Sequence, residues 1–414
     1  MQTNLADFIK NTPEGNEADA ILRACVHCGF CLATCPTYQL LGDELDSPRG
    51  RIYLMKQMLE GQPVTQKTQM HLDRCLTCRA CETVCPSGVR YGRLVDISRG
   101  LVEKQVGRGI VAGTIRFALR QVLPRPDVFA TLLKLGQWVR PLLPGKLKRS
   151  VPPEPQAMGI WPEARHTRKM LVLDGCVQPA LAPNINAATA RVLNKLGISL
   201  LRAEQAGCCG AVSYHLNAQQ EGLDFMRRNV DAWWPYIENK GIEAIVMTAS
   251  DCGVTVKEYG HLLSHDSAYA EKAARISALT KDISEVLAAE ADKISNLVKN
   301  SKLKTRNSKL AFHSPCTLQH GQKISGLVEK TLLAMGCELS MVPDAHLCCG
   351  SAGTYSILQP QLSQRLLKNK VAALASGSPA QIVTANIGCL MHLQSGTSLQ
   401  VRHWIEVLDE QLSI

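Results

Sequence analysis

The sequence predicts an α+β chain of several domains, a mostly helical N-terminal domain followed, after a basic linker, by a duplicated α/β module. Three observations lead there. Two matching runs, CVHCGFCLATCP at 25–36 and CLTCRACETVCP at 75–86, repeat every cysteine 50 residues on, in a segment with few β-branched residues. From residue 169 onward four further cysteines recur at an almost constant offset. A chain of 414 residues, 45% of them apolar, also exceeds one typical domain.

Residues 1–100 form the first domain. Between its cysteine runs, RGRIYLMKQMLEG places Ile52, Met55 and Leu59 at helical spacing, so a helix joins two cysteine loops. Residues 101–168 hold two amphipathic helices, one carrying Val111, Ile115, Ala118, Leu119 and Val122, the other Val128, Leu132, Leu135 and Val139, with LPRPD between them and the proline-rich LLPG and VPPEP after them. Residues 101–170 carry 13 basic and 4 acidic side chains, against 11 of each in residues 1–100, and so contribute most of the net charge of +10. Their cations are scattered among Leu, Val and Pro rather than forming a run, which excludes a nucleic-acid tail. Docking on neighbouring domains, resting on anionic lipid and filling a partner's groove all remain open for these helices.

Residues 169–300 and 301–414 are the two α/β modules. KMLVLDGCVQP, a helix from Asn184 to Leu196, GISLLRAEQAGCCGAVSYHLNA and IEAIVMTASDCG answer to KLAFHSPCTLQ, a helix ending at Met335, GCELSMVPDAHLCCGSAGTYSIL and QIVTANIGC. The offset is 140 for Cys176 and Cys316, Cys208 and Cys348, and Cys209 and Cys349, and 137 for Cys252 and Cys389. Short β-like runs alternating with helices imply parallel strands with the cysteines on loops at strand ends.

The start, MQTNLADFIKNTPEGNE, lacks the basic and apolar regions of a signal peptide, and no apolar run reaches the length of a membrane span. The expectation is a cytoplasmic protein, either free or peripheral on the inner membrane. Seventeen cysteines there are a poor disulfide framework, and metal ligation is the better reading.

A [4Fe-4S] cube needs four thiolates, and C-x2-C-x2-C on one loop supplies three. In the two-cluster bacterial ferredoxin run C-x2-C-x2-C-x3-C-P the fourth cysteine serves the other cluster, and Pro36 and Pro86 complete both copies here. A ferredoxin-like domain with two [4Fe-4S] clusters follows. One cluster takes Cys25, Cys28, Cys31 and Cys85, the other Cys75, Cys78, Cys81 and Cys35. Structural zinc does not call for a third cysteine at that spacing and a fourth before proline. Shared ligation holds the cubes close together, which suits the passage of single electrons.

Each C-terminal module offers four cysteines, Cys176, Cys208, Cys209 and Cys252, then Cys316, Cys348, Cys349 and Cys389. The pattern C-x31-CCG followed by one more cysteine resembles the cysteine-rich CCG domain of the heterodisulfide reductase superfamily, in which such modules can hold a non-cubane iron-sulfur cluster. Cluster-binding members end in CxxC, whereas these modules end in SDCGV and IGCLM. A further iron-sulfur centre, a metal-free redox or interaction surface, and buried packing therefore all stay open. Cys337 falls opposite Ile198 and reads as a core residue. GRGIVA at 107–112 fits a dinucleotide fingerprint in letters only, because it follows a charged helical stretch rather than a strand. His27, His215, His313, His320 and His346 lie near the cysteines, and any could ligate or hydrogen-bond; with the thiolates already satisfying the count, each reads first as a surface residue or as a partner of the ligands.

With RACVHCGFC, GDELDSPRGRIYL and LCCGSAGTY in view, the chain resembles the iron-sulfur subunits of bacterial glycolate oxidase over nearly its full length. More distantly it is similar to the iron-sulfur subunits of anaerobic glycerol-3-phosphate dehydrogenase and of lactate-utilisation complexes. The resemblance implies that a flavoprotein subunit oxidises glycolate to glyoxylate and that this chain passes electrons toward a membrane quinone. It also implies that flavin belongs to the partner only, with the basic linker able to touch the membrane and no catalytic residue on this chain. A thiol reductase with a CCG centre as its active site is the competing reading from another class.

Overall fold

The computed structural model describes residues 1–145, 148, 151–152, 156–300 and 309–412, with the side chains of 298–300 excepted. The end of VPPEP and the start of the second module at residue 301 lie outside the described residues.

The N-terminal region is built from short helices, two of which end where a cysteine loop begins. Helix α1 (Pro13–Ala24) starts under a Thr12 cap, whose hydroxyl accepts from Gly15 N at 3.0 Å, with proline at its first position. Cys25 follows directly. Cys35 is the N-cap of α2 (Pro36–Leu41), so the proline after the fourth cysteine is what opens the next helix. The expected connecting helix is α3 (Pro48–Leu59), capped by Ser47 Oγ on Gly50 N at 2.9 Å. Helix α4 (Gln66–Asp73) leads into the second cysteine run, within which lies the single turn α5 (Ala80–Thr83). Helix α6 (Tyr91–Val106) closes the domain over a core of Leu22, Met55, Leu59, Leu72 and Leu94. Burial of each such side chain contributes about 2 kcal/mol.

Helices α7 (Ile110–Val122) and α8 (Pro126–Val139) follow, and neither contains a fully buried residue. Gly107 terminates α6 and Ile110 opens α7, so GRGIVA joins two helices and no strand precedes it.

The C-terminal half contains two four-stranded parallel sheets with the same strand order. The first runs β2 (Ile198–Arg202), β1 (Arg168–Val172), β3 (Ile242–Met247), β4 (Thr280–Asp282), with Met170 opposite Leu200 and Leu171 opposite Ile245. Its helices include α9 (Asn184–Lys195), α10 (Gln219–Lys240), α11 (Ser250–Lys257) and α12 (Ile283–Ala289). The second runs β6 (Glu338–Leu339), β5 (Lys309–His313), β7 (Gln381–Thr384), β8 (Val401–His403), with Leu310 opposite Leu339 and Ala311 opposite Ile382. Its helices are α13 (Leu327–Ala334), α14 (Pro360–Ala375), α15 (Ile387–Gly396) and α16 (Trp404–Leu412). Strands such as IEAIVM and QIVT are buried along most of their length because helices cover both faces.

The modules are not independent in packing. Helix α16 lies on α9 of the first module, where Arg191 Nε donates to Asp409 Oδ2 at 2.8 Å, and one apolar core runs from Ile185 and Leu193 through Trp404 and Leu408.

Candidate redox site

The two N-terminal loops wind in the same way. His27 and Gly29 have positive φ, as do Thr77 and Arg79 at the positions 50 residues on. Holding a non-glycine residue left-handed costs about 1–3 kcal/mol, and three of these four positions bear that cost to turn successive cysteines inward. One cavity is lined by Cys25, Cys28, Cys31 and Cys85, and a neighbouring one by Cys35, Cys75, Cys78 and Cys81. Cys81, Pro48 and Tyr91 line both, so the two cradles share a wall. Burial pushes the Cys31 thiol up to about 11, with Cys25, Cys28 and Cys85 adding to it, and burial with Cys78, Cys75 and Cys35 raises Cys81. Four crowded thiolates need a compact, strongly positive centre to ionise together, so the donor set fits a cubane cluster in each cradle.

Buried charge supports the second cradle. Arg51 and Asp46 are both fully buried; Arg51 Nη2 donates to Asp46 Oδ1 at 3.1 Å, Nη1 to Thr37 Oγ1 at 3.1 Å and Nε to His71 O at 2.7 Å. Arg74 Nη1 donates to Asp46 Oδ2 at 2.8 Å. Thr37 Oγ1 in turn lies 3.3 Å from Cys35 Sγ. Although burial opposes its charge, Cys75, Tyr91, Cys35 and Asp46 keep the Arg51 guanidinium ionised. A fixed cation thus stands beside two of the four thiols. Tyr91 OH reaches Cys75 Sγ at 3.6 Å.

In each module the CCG glycine makes the loop turn. Gly210 (φ 92°) and Gly350 (φ 93°) are left-handed, and a Cβ there would come within 2.5 Å of Gly222 O or 2.7 Å of Ser363 O. Their amides point at sulfur, Gly210 N to Cys208 Sγ and Gly350 N to Cys348 Sγ, both at 3.4 Å. The thiols of each module form a chain, Cys176 to Cys208 to Cys209 to Cys252 and Cys316 to Cys348 to Cys349 to Cys389, with Cys316 and Cys348 Sγ 3.8 Å apart.

Both chains face one chamber of about 210 Å³, which Cys75 and Cys78 of the second cradle also line. Arg99, Arg116, His215, Asp251 and Asn386 supply its polar lining. Burial raises the Asp251 carboxyl, partly countered by Cys252 N, which donates to Asp251 Oδ1 at 2.8 Å. The N-terminal domain is held over this chamber by Arg79 Nη2 on Glu258 Oε2 at 3.0 Å, Thr83 Oγ1 with His320 Nδ1 at 2.9 Å and Tyr355 OH on Arg74 O at 3.0 Å.

Residues 21–89 match the 4Fe-4S dicluster domain, and residues 170–257 and 310–394 each match the cysteine-rich domain. The chain is 57% identical over 413 residues to the glycolate oxidase iron-sulfur subunit of Escherichia coli strain K12, covering 100% of this chain and 99% of that one. The chain belongs to the family of glycolate oxidase iron-sulfur subunits. A probable member in Bacillus subtilis strain 168 is 29% identical over 408 residues, 90% of this chain and 88% of that one. Lactate utilization protein A of Bacillus licheniformis is 26% identical over 246 residues, 57% of this chain and 97% of that protein. As a family member the chain is an iron-sulfur electron-transfer subunit with a helical dicluster domain and two parallel-sheet cysteine-rich modules.

The family's cofactor chemistry falls on residues that the fold gathers. All eight N-terminal cysteines line the two cradles, and seven of the eight module cysteines line the chamber, with Cys349 buried behind it. Cys252 and Cys389 correct the expectation of loop cysteines, since each lies in the first turns of the helix that follows a central strand, α11 and α15. His313 is not a surface residue: it is 2% exposed at the end of β5, and burial holds its imidazole down to about 3. His320 and His215 bind across domains, the latter to Asp96 Oδ1 at 3.0 Å. The chamber itself, Arg51 and Lys370 carry no spacing signature, and sequence reasoning missed them. Cys337 is buried beside β6, as a core residue should be, and accepts from Gln411 Nε2 at 3.4 Å.

Proposed function

We propose that this chain takes electrons from a separate flavoprotein subunit that oxidises glycolate to glyoxylate and delivers them toward a membrane quinone. The assignment of Cys25, Cys28, Cys31 and Cys85 to one [4Fe-4S] cluster, and of Cys75, Cys78, Cys81 and Cys35 to the other, belongs to the same reading. The observation that carries it is the pair of cradles sharing a wall, the second opening on the chamber between the modules. A bound [4Fe-4S] cluster supplies one-electron transfer, so a two-electron oxidation can leave in single steps. The protein's part is to fix the cradles side by side, with Tyr91 and Arg51 against the second. Cys28 is exposed in the first loop between exposed Val26 and Phe30, which makes the first cradle the natural contact with a partner.

No helix among the described residues is long and apolar enough to cross a membrane. We infer a cytoplasmic subunit, resting on the inner membrane through α7 and α8, where Ile110 is 89% and Trp138 79% exposed. Iron and acid-labile sulfide analysis with EPR of the dithionite-reduced, anaerobically purified protein tests the cluster assignment. Cys85→Ser and Cys35→Ser should each damage a different cluster, on the loop opposite in sequence. Damage confined to the mutated run in both variants would refute the crossed ligation, and zinc in place of iron would refute electron transfer.

A further inference from the structure

The two cysteine-rich modules share fold, strand order and cysteine positions but differ in one donor. His313 ends β5, three residues before Cys316, and the position 140 residues earlier is Leu173. His313 Nδ1 lies 3.0 Å from Thr384 Oγ1, and Nε2 is buried without a hydrogen-bond partner. A ring nitrogen of His313 and the sulfurs of Cys349 and Cys389 lie within 4.8 Å of one another, all three residues buried. Because Nδ1 is engaged by Thr384, the nitrogen free to face the sulfurs is Nε2. With Thr384 accepting from Nδ1–H, Nε2 keeps its lone pair, the tautomer a metal-bound imidazole adopts.

The remaining thiols agree. Cys348 adjoins Cys349, and Cys316 and Cys348 Sγ stand 3.8 Å apart, about the separation of two thiolates bound at ~2.3 Å to one tetrahedral ion. Lys370 is buried behind them on α14, its Nζ held by Asp344 O at 2.8 Å, and it supplies a cation beside Cys348 and Cys349. His392 is engaged elsewhere, by Ser363 Oγ at 3.2 Å and the Cys349 backbone. In the first module Leu173 stands at the position of His313, and Cys176 and Cys252 are only half-buried.

We propose that His313 Nε2 is a metal ligand and that the second module, unlike the first, holds a centre of a borderline-soft metal, zinc or iron, on His313, Cys349 and Cys389. The site goes beyond the electron-transfer reading and uses none of the N-terminal cradle cysteines.

The test uses the full chain purified without oxygen, with iron and zinc counted per chain in the wild type, His313→Leu and Cys208→Ser. The expected result is metal beyond the roughly eight irons of two cubane clusters, lost in His313→Leu and kept in Cys208→Ser, with unchanged EPR from the N-terminal clusters. Zinc or iron in the excess tells which ion is bound. No excess metal, or an excess that survives His313→Leu, overturns the proposal. Should His313→Leu fail to fold, the wild type decides, by X-ray absorption at the zinc edge or by electron-nuclear coupling to nitrogen at the extra iron. A nitrogen donor supports the ligand and an all-sulfur shell overturns it. Loss of the N-terminal EPR signals would count against the cluster assignment alone.

Discussion

Arg51 shows what the cysteine spacing leaves unsaid. Its guanidinium is fully buried, spans Asp46, Thr37 and His71 O, and through Thr37 braces Cys35, the cysteine assigned to the opposite loop's cradle. Removing one partner of a buried pair strands the other's charge, which costs about 3–5 kcal/mol. Arg51→Met should therefore lower stability by about 3 kcal/mol, the low end because Arg74 still binds Asp46. Denaturant unfolding of the anaerobic protein measures this, and an unchanged midpoint would mean that Arg74 alone neutralises Asp46. The eight cysteines that line the two cradles were legible in the sequence because a cubane cluster dictates thiol spacing along the chain. Arg51 and Lys370 were not, since their meaning lies in burial against residues brought together from distant elements; His313 was visible as a neighbour of the cysteines, but not its burial.

Among elements, legibility followed periodicity. The connecting helix α3 and the amphipathic α7 and α8 stand where their apolar spacing predicted, and the 140-residue register became two sheets of identical strand order. What covers α7 and α8 was not legible, because periodicity names an apolar face and not its neighbour. Arg116 and Arg120 tether α7 to Asp73 and Glu221, yet Ile110, Val111, Phe117, Trp138 and Leu142 remain exposed. An interfacial helix pair gains affinity in proportion to the apolar area that it buries in lipid. If these helices rest on the membrane, Trp138→Glu should weaken binding to anionic vesicles by about ten- to a hundredfold, given about 1.5–3 kcal/mol for one large apolar side chain. Sedimentation with vesicles at low and high salt reads this out; equal binding by wild type and variant would exclude the face. The helical setting of Cys252 and Cys389 follows from strand ends feeding helices directly, a local geometry that cysteine spacing does not encode.

At the scale of the whole molecule, the modules are joined by a shared core whose polar weak point is His403. It ends β8, is fully buried, and its Nε2–H donates to Thr248 O, just past β3 of the first module, at 2.9 Å. Its Nδ1 accepts from Ile405 N at 3.3 Å, so both ring nitrogens are satisfied only while the imidazole is neutral. Burial pulls its pKa from 6.5 to about 4, partly opposed by the bond to Thr248. Between those two values the unfolded chain binds a proton that the folded chain refuses, so stability rises with pH across the window. The contribution is complete above about 6.5 and is lost as pH falls toward 4, a difference of about 3 kcal/mol at 1.36 kcal/mol per unit. Trp404, stacked on His403 with ring centroids 6.4 Å apart, provides a fluorescence signal at the junction itself. Denaturant midpoints measured by that signal should fall between pH 7 and 5 in the wild type. His403→Gln keeps a donor near Thr248 O and removes the titration, so the same series should be flatter even if the variant starts lower. An equal slope in both proteins would assign the acid sensitivity to other groups and show that the junction tolerates a charge.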